Sequence, residues 1–236
     1  MTEPLLKAEG ISAGYDETTV LEDVGLHIEP GEMVALVGRN GVGKTTLVRV
    51  ISGLLPAKAG RIELDSAPID HWPIHRRARA GLRVVTEDRG LFANLTVGEN
   101  LEVAARHAAS GRRLALEDVV ERFPRLAERR GQRAGSLSGG EQRMLALARA
   151  FVSGPRVLIV DEFSEGLQPS ITQELASALA RAHADGLSVL LVEQNVHLAL
   201  KLAGRAYILE KGRIVHEAEA AELSADLSAL SRYLVI

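Results

Sequence analysis

The sequence predicts an α/β fold built around a parallel sheet. Three runs of consecutive apolar residues, each about as long as a strand, indicate strands that are covered on both faces, as in parallel sheets. These runs are residues 33–37, 157–160 and 188–192, the last of which begins with the small polar residue Ser188. Apolar residues spaced three or four apart follow the first run and predict a helix.

A glycine-rich loop joins the first of these strands to its helix. It fits the pattern of glycine, four residues, then Gly-Lys-Thr. Its residues are Gly38, Arg39, Asn40, Gly41, Val42, Gly43, Lys44, Thr45 and the adjoining Thr46. Backbone N–H groups of such a loop bind phosphate at the N-terminus of the next helix, where Lys44 can reach the β- and γ-phosphates and Thr45 can bind Mg²⁺. Because a strand precedes the loop and a helix follows it, we predict a nucleotide site rather than a chance turn.

Two carboxylates directly follow the second apolar run. Asp161 ends this predicted strand and Glu162 comes next. Taken alone, two acids after a strand are more often an ordinary surface turn. The carboxyl ends of parallel strands are, however, where ligands bind in open α/β sheets. Beside a phosphate loop, Asp161 is expected to bind Mg²⁺, directly or through another ligand, and Glu162 to act as general base on the attacking water.

The segment 137–141 has two compatible interpretations. Ser138 and Glu141 form the capping box that begins a helix. The N–H groups of Gly139 and Gly140 also offer a second anion site at the same helix N-terminus. Since one nucleotide needs only one phosphate loop per chain, the second site indicates contact with the γ-phosphate of a nucleotide held by a partner chain.

These motifs, in this order and spacing, resemble those of the ATP-binding subunits of ABC transporters along nearly the whole chain. Residues 40–46 match the Walker A motif, 137–142 the signature, and the strand ending in Asp161 and Glu162 the Walker B motif. The resemblance implies an ABC ATPase fold of the P-loop NTPase class, with a parallel-sheet core, an antiparallel β subdomain and an inserted helical lobe. We expect one domain, residues 1–236, made of a core at 1–88 and 156–217, a helical lobe at 89–155 and a C-terminal helix at 218–236.

The resemblance also implies roles for residues outside these motifs. Tyr15 would stack on adenine, a contact worth about 1–3 kcal/mol for bases in nucleic-acid systems, although alone it would more often be a strand-end surface residue. Glu87 stands where most members have a Gln that contacts Mg²⁺ and the attacking water. Its carboxylate is a competent ligand for Mg²⁺. Gln194 stands where most members have a His that contacts the γ-phosphate. Its amide can position a ligand by a hydrogen bond but cannot carry a proton at neutral pH. Phe163 and Gln168 replace the usual Pro and Asp, which leaves the loop at the dimer interface in question.

Within this family the chain most resembles the ATPases of branched-chain amino acid importers. Segments 96–101, 123–130 and 192–195 carry that resemblance, whereas 38–44 and 165–171 look more like the subgroup that imports urea or short-chain amides. We therefore expect an ATPase that powers uptake of branched-chain amino acids. The alternatives are a urea or amide importer, a soluble ABC ATPase without a transporter, and a regulatory subunit without catalysis.

The family resemblance implies ATP and Mg²⁺ as cofactors and several protein partners. These are a second ABC ATPase subunit of a different chain, two integral membrane permease subunits and, indirectly, an extracytoplasmic solute-binding protein. Residues 87–101 would receive the permeases, with Phe92 and Leu95 as candidate contacts. No apolar run of membrane-spanning length and no signal peptide pattern occurs, so we expect a peripheral protein at the cytoplasmic face of the inner membrane.

Composition excludes several other classes of protein. A net charge of −3 provides no basic surface for nucleic acid. The absence of cysteine excludes disulfides, cysteine zinc sites and thiol chemistry. The histidines are scattered without the spacing of a metal site.

Overall fold

The predicted α/β fold is confirmed by a computed structural model, which describes residues 3–86, 88, 90–107 and 116–225. The strands are β1 (Leu6–Tyr15), β2 (Thr18–Ile28), β3 (Met33–Val37), β4 (Ala59–Leu64), β5 (Ala67–Pro68), β6 (Leu82–Val85), β7 (Val157–Asp161), β8 (Ser188–Glu193), β9 (Arg205–Glu210) and β10 (Arg213–Glu219). The helices are α1 (Lys44–Ser52), α2 (Ile74–Arg79), α3 (Val97–Arg106), α4 (Leu116–Arg122), α5 (Pro124–Glu128), α6 (Gly139–Val152), α7 (Pro169–Ala184), α8 (Val196–Leu202) and α9 (Ala220–Ala225).

The larger sheet has six strands in the order β10-β9-β3-β8-β7-β6. The pairs β9–β3, β3–β8, β8–β7 and β7–β6 are parallel, and β10 returns antiparallel to β9 as a hairpin. Every residue of β3, β7 and β8 is buried. Complete burial explains why these strands are continuous apolar runs without the alternation of a half-exposed strand.

Alternate residues of the central strands belong to two separate cores. In β3, Ala35 faces a core formed with the helices α3 to α9, whereas Val34 and Leu36 face a core formed with α1 and the smaller sheet. Leu158 and Ile159 of β7 divide in the same way. The six-stranded sheet is therefore the middle layer of three, and both faces contribute to the stability of the fold.

The smaller sheet is antiparallel, with the four strands in the order β2-β1-β4-β5. Its inner face includes Leu6, Ile11 and Leu21, which are fully buried. This sheet is the antiparallel β subdomain that the family resemblance implied. It packs over α1 and thereby fixes the helix that follows the glycine-rich loop.

The described part of the segment between β6 and β7 contains the helices α3 to α6, joined by turns and loops. The helix α3 begins with a capping box, in which the Thr96 hydroxyl accepts from Glu99 N and the Glu99 carboxylate accepts from Thr96 N. Phe123 and Phe151 stack with ring centroids 6.1 Å apart and join α6 to the turn between α4 and α5. Within the described ranges, none of the helices combines the length and apolar character needed to cross a bilayer.

The C-terminal helix starts later than predicted. Residues 218 and 219 continue β10, where Ala218 pairs with Ala206 and Glu219 with Arg205, so α9 begins at Ala220. The predicted start at 218 was wrong because the segment Ala-Glu-Ala is compatible both with a strand and with the first turn of a helix. Residues 226–236 of this predicted helix lie outside the described residues.

Arg77 of α2 is buried and holds the end of α1. Its guanidinium donates to the carbonyl oxygens of Val50 and Ile51 at 2.9 and 2.7 Å, and to those of Trp72 and Asp70 at 3.0 and 2.9 Å. The first two carbonyls belong to the last turn of α1, where the helix itself cannot supply a donor to every carbonyl. Nothing in the sequence pattern separates Arg77 from the neighbouring arginines.

We predict that Arg77→Met lowers the free energy of unfolding by about 2–4 kcal/mol, because four carbonyl groups lose a charged donor in a buried position. Urea denaturation at neutral pH measures this change. Arg79→Met is the matched control on the exposed side of the same helix, and its effect should stay within about 0.5 kcal/mol. Equal effects of the two substitutions would contradict the capping role of Arg77.

Candidate functional site

The neighbouring parallel strands β3, β8 and β7 bring the glycine-rich loop, Asp161, Glu162 and Gln194 to one edge of the sheet. In the register of the sheet, Val37 of β3 lies beside Glu193 of β8, and Asp161 of β7 lies beside Val192 of β8. On the far side of β7, Val85 of β6 lies beside Val160. The residues that follow these positions, in the glycine-rich loop, after β7 and after β8, therefore emerge side by side, where ligands bind in open α/β sheets.

The glycine-rich loop has a backbone that other residues could not adopt. Gly43 has φ +114°, and a Cβ there would lie 2.8 Å from the Leu21 side chain. A Cβ on Gly38 would lie 2.5 Å from the carbonyl oxygen of Leu209. The loop thus needs glycine at Gly43 for its backbone conformation and at both positions for lack of space.

The rest of the loop is largely open to solvent, and its helix begins at Lys44. Arg39, Asn40, Gly41 and Thr45 are exposed, Val42 is half-buried and Thr46 is buried. The amide N–H of Leu47 donates to the Gly43 carbonyl at 2.9 Å and closes the first helical turn. An exposed loop that leads into a helix N-terminus is the arrangement that binds phosphate through backbone N–H groups.

Lys44 lies at the centre of the loop and is nearly inaccessible to solvent. Its ammonium donates to the carbonyl oxygens of Gly38 and Arg39 at 2.9 and 3.1 Å. Its Nζ also lies 3.1 Å from Oε1 of Glu162, as an ion pair. The structure therefore brings the predicted phosphate-binding lysine and the predicted general base into direct contact.

Two oxygen donors suited to Mg²⁺ lie at the same edge of the sheet. Asp161 is the buried last residue of β7, and Thr45 is in the first turn of α1. The described residues contain no cluster of three or more His, Asp or Glu that could hold a metal ion by themselves. A hydroxyl and a carboxylate fit Mg²⁺, which is usually bound by one or two protein oxygens together with phosphate groups of the substrate. Glu87, the third predicted ligand, lies outside the described residues.

Glu162 has an unusual backbone conformation. Its φ of +50° is in the left-handed region, which residues other than glycine adopt uncommonly. Its N–H donates to the Val192 carbonyl at 2.8 Å, and its carbonyl accepts from Nη1 of Arg143 at 2.6 Å. Arg143 also donates to the Glu165 carbonyl at 3.1 Å. These bonds hold Glu162 in a conformation that would otherwise cost of order 1 kcal/mol.

Sequence analysis missed the residues that hold this loop. Arg143 lies one turn before Leu147 on the buried side of α6, so a charged residue on an apolar helix face was the available signal. Glu193 lies directly after the apolar run of β8, in the same relation as Asp161 to β7. Both resemble ordinary charges in the sequence, and only their contacts distinguish them.

Tyr15 and Gln194, two further residues that the family resemblance singled out, are exposed. Tyr15 is the last residue of β1 and is 40% exposed, with its hydroxyl accepting from Nη1 of Arg49 at 2.8 Å. This contact places the ring beside α1, the helix of the phosphate loop. Gln194 is exposed and follows Glu193, one strand away from the loop. Neither side chain is covered by the described part of the chain.

The second predicted anion site has both of its predicted features. Ser138 is the N-cap of α6, with Ser138 N donating to Oε2 of Glu141 at 2.9 Å, and Gly139 and Gly140 open the helix. Ser138 and Gly139 are exposed. A hydrogen bond from Arg129 holds the pKa of Glu141 at about 2, well below its usual range, despite burial, which raises it. In the part of the chain that the structure describes, no hydrogen bond or ion pair joins residues 138–140 to the loop at 38–46.

The chain is similar to known proteins over most of its length. It matches the family model described as ABC transporter over residues 21–165. It is 41% identical over 222 residues to the high-affinity branched-chain amino acid transport ATP-binding protein BraG of Pseudomonas aeruginosa, covering 93% of this chain and 95% of that protein. It is 36% identical to the probable branched-chain amino acid transport ATP-binding protein LivF of Archaeoglobus fulgidus, covering 93% and 94%. A solved structure of an ATP binding subunit of an ABC transporter matches with TM-score 0.82 and 28% identity, covering 95% of this chain and 93% of that one.

We predict that the stabilisation by Glu141 disappears in acid. At neutral pH, Glu141→Gln should lower the free energy of unfolding by about 1–2 kcal/mol, because the amide cannot form the ion pair with Arg129, although it can keep the capping box. Because the pKa of Glu141 is about 2 in the folded chain and about 4.5 in the unfolded chain, its contribution is complete above pH 4.5 and falls as pH decreases toward 2. Urea denaturation at several pH values should show the difference between wild type and variant shrinking below pH 4.5.

The control for this experiment is Glu102→Gln, which changes an exposed glutamate on α3. Its effect should stay within about 0.5 kcal/mol at every pH. A difference between wild type and Glu141→Gln that stays constant or grows in acid would contradict the assignment.

Proposed function

The chain belongs to the ABC transporter family, and from this membership we propose that it binds and hydrolyses ATP to power an importer of branched-chain amino acids. The observation that carries the proposal is the convergence of the glycine-rich loop, Asp161, Glu162 and Gln194 on one sheet edge, with Lys44 and Glu162 in contact at 3.1 Å. The substrate class is supported by the names of the two relatives with which the chain shares most of its length.

The phosphates of ATP would bind at the N-terminus of α1. The backbone N–H groups of residues 41–45 belong to that end of the helix, and its partial positive charge favours an anion. Lys44 would exchange its contact with Glu162 for the β- and γ-phosphates. The adenine would stack on Tyr15, whose exposed ring lies beside the same helix. This arrangement binds ATP by backbone, charge and stacking together.

Glu162 would take the proton from the attacking water. The water oxygen forms a bond to the γ-phosphorus, the bond from that phosphorus to the bridging oxygen breaks, and ADP and phosphate result. Gln194 would orient the water and the γ-phosphate by hydrogen bonds, because its amide cannot accept a proton at neutral pH. Mg²⁺, which Thr45, Asp161 and Glu87 would hold, supplies positive charge that stabilises the phosphate oxygens.

A second ATPase chain would complete each nucleotide site. In the described residues, Ser138 and Gly139 are exposed and form no hydrogen bond or ion pair with the chain's own phosphate loop. A head-to-tail pair would bring each such helix end against the γ-phosphate bound by the other chain. Charge-assisted hydrogen bonds contribute about 1.5–3 kcal/mol each, so a few of them per ATP can close the pair, and hydrolysis reopens it.

The permease subunits would bind in a cleft between β6, an edge strand of the larger sheet, and the helices α3 and α6. This cleft has a volume of about 400 Å³ and is lined by β6, α3 and α6, including Val85 and Phe92. Phe92 is 47% exposed, with the guanidinium of Arg149 4.9 Å from its ring centroid. Leu95, the other predicted contact, does not line the cleft. Held there by permeases, the chain would be a peripheral protein at the cytoplasmic face of the membrane.

We predict that Glu162→Gln lowers ATP hydrolysis by about 10²-fold or more, because an amide cannot serve as the base. ATP binding should be kept or tightened, because the amide of the variant would no longer form an ion pair with Lys44. Nucleotide-fluorescence titration measures binding, and size-exclusion chromatography with ATP should show an accumulated closed dimer.

Two further variants complete this test. Lys44→Ala should lose ATP binding, because the phosphates lose their cation. Glu174→Gln changes a partly exposed residue of α7 that pairs with Arg125, and it should keep both binding and hydrolysis. Hydrolysis by Glu162→Gln at the wild-type rate would remove Glu162 as the base.

We predict that the transport substrate can be identified as the compound that stimulates ATP hydrolysis. The tagged chain is purified with its native membrane partners and reconstituted with the associated solute-binding protein. Leucine, isoleucine and valine should stimulate ATP hydrolysis, and urea and short-chain amides should not. Stimulation by urea or amides alone would support the alternative importer. If no membrane protein co-purified, the transporter assignment would be wrong and a soluble or regulatory ATPase would take its place.

A further inference from the structure

Glu193, the last residue of β8, is a buried carboxyl group that the proposed mechanism does not use. Only 1% of its surface is exposed. Its Oε1 accepts from the backbone N–H of Ser164 at 3.1 Å, and its Oε2 accepts from the Ser164 hydroxyl at 2.8 Å. Burial raises the pKa of Glu193, and the hydrogen bonds from Ser164 and from the backbone of Asn195 oppose that rise. A carboxyl group in this position is costly without such partners, and the two bonds from Ser164 offset part of that cost.

Ser164 lies two residues after Glu162, in the loop that follows β7. The same end of β8 binds this loop at a second point, because the Val192 carbonyl accepts from Glu162 N at 2.8 Å. From the other side, Arg143 of α6 donates to the carbonyls of Glu162 and Glu165 at 2.6 and 3.1 Å. The loop is therefore held between the end of β8 and α6.

The left-handed backbone of Glu162 depends on this support. A residue with φ +50° that is not glycine persists where surrounding contacts over-determine it. Among these contacts, Glu193 binds both a backbone N–H and a side chain of the loop. Releasing Ser164 would let the loop relax and change the direction of the Glu162 carboxylate, which lies 3.1 Å from Lys44.

We propose that Glu193 is a positioning residue for ATP hydrolysis, which acts by anchoring Ser164 and thereby directing the carboxylate of Glu162 at the terminal phosphate. The inference rests on the proposed role of Glu162 as the base. Glu193 itself does not contact the substrate. Its predicted signature is a loss of turnover without a loss of ATP affinity, since the glycine-rich loop and Tyr15 are left intact.

The test compares three variants in the full chain purified with its membrane partners. Glu193→Ala should lower kcat about 10²-fold, the scale for a misplaced catalytic group, while the Kd for ATP changes less than about threefold. Glu193→Gln should recover kcat to within about tenfold of wild type, because its amide oxygen accepts from Ser164 N and its NH₂ donates to the hydroxyl. Ser164→Ala should lose less than Glu193→Ala, because the backbone bond remains.

A double variant separates positioning from a general effect on folding. If Glu193 acts through Ser164, adding Ser164→Ala to Glu193→Ala should lower kcat little further. Glu32→Gln is the matched control: Glu32 accepts two bonds from Arg205 at 2.9 and 3.0 Å at the opposite end of β3. It should lower the Tm and leave kcat unchanged.

Several outcomes would overturn the inference. The first two are a kcat for Glu193→Ala close to that of wild type, and a loss of ATP affinity that parallels the loss of kcat. The third is a double variant whose fold-loss of kcat equals the product of the losses in Glu193→Ala and Ser164→Ala. The fourth is a kcat for Glu193→Gln no higher than that of Glu193→Ala. If Glu193→Ala does not fold, the test rests on Ser164→Ala. A kcat for Ser164→Ala equal to that of wild type would then show that the contact between Glu193 and Ser164 does not position Glu162. Failure of the base assignment is recognised separately, because Glu162→Gln would then hydrolyse ATP normally.

Discussion

The site depends on the register of neighbouring parallel strands at one edge of the sheet. Val37 lies beside Glu193 and Val192 beside Asp161, so the chain leaves β3, β7 and β8 at nearly the same level. A shift of one residue in any of these pairs would turn each side chain to the opposite face. Burial of both faces in two separate cores prevents such a shift. Packing far from the site is thus what keeps the loop, Glu162 and Gln194 together.

The buried charged groups at this edge of the sheet each have hydrogen-bond or ion-pair partners. Lys44 contacts two loop carbonyls and Glu162, and Glu193 contacts Ser164. Such groups are costly to remove from water, and each is held by hydrogen bonds that also define a backbone conformation. The same interactions that make burial possible therefore set the geometry from which hydrolysis would proceed. Stability and function share these contacts, and substitutions here affect both unless they keep the hydrogen bonds.

The two anion sites of the chain differ in their surroundings. The glycine-rich loop encloses a nearly inaccessible lysine, whereas Ser138 and Gly139 are exposed at the start of α6. The capping box satisfies Ser138 and Glu141 within the chain and leaves the helix end open. A rigid, open helix end is suited to a phosphate carried by another molecule. This asymmetry explains why a paired arrangement is the natural proposal for a chain with one phosphate loop.

Local patterns in the sequence determined the elements and most of the candidate site. Continuous apolar runs identify β3, β7 and β8 because strands buried on both faces have no polar side, and Gly38 and Gly43 mark the loop because only glycine fits there. The start of α9 was misplaced because Ala218 and Glu219 suit a strand or a helix, and pairing with β9 decides between them.

Only the tertiary structure decided which charges are structural parts of the fold and of the site. Arg77, Arg143 and Glu193 look like surface charges in the sequence, but each binds groups that come from distant segments of the chain. The ion pair between Lys44 and Glu162 joins residues that no local pattern connects. A sequence records which side chains are available, whereas their partners and burial arise from how the strands and helices pack.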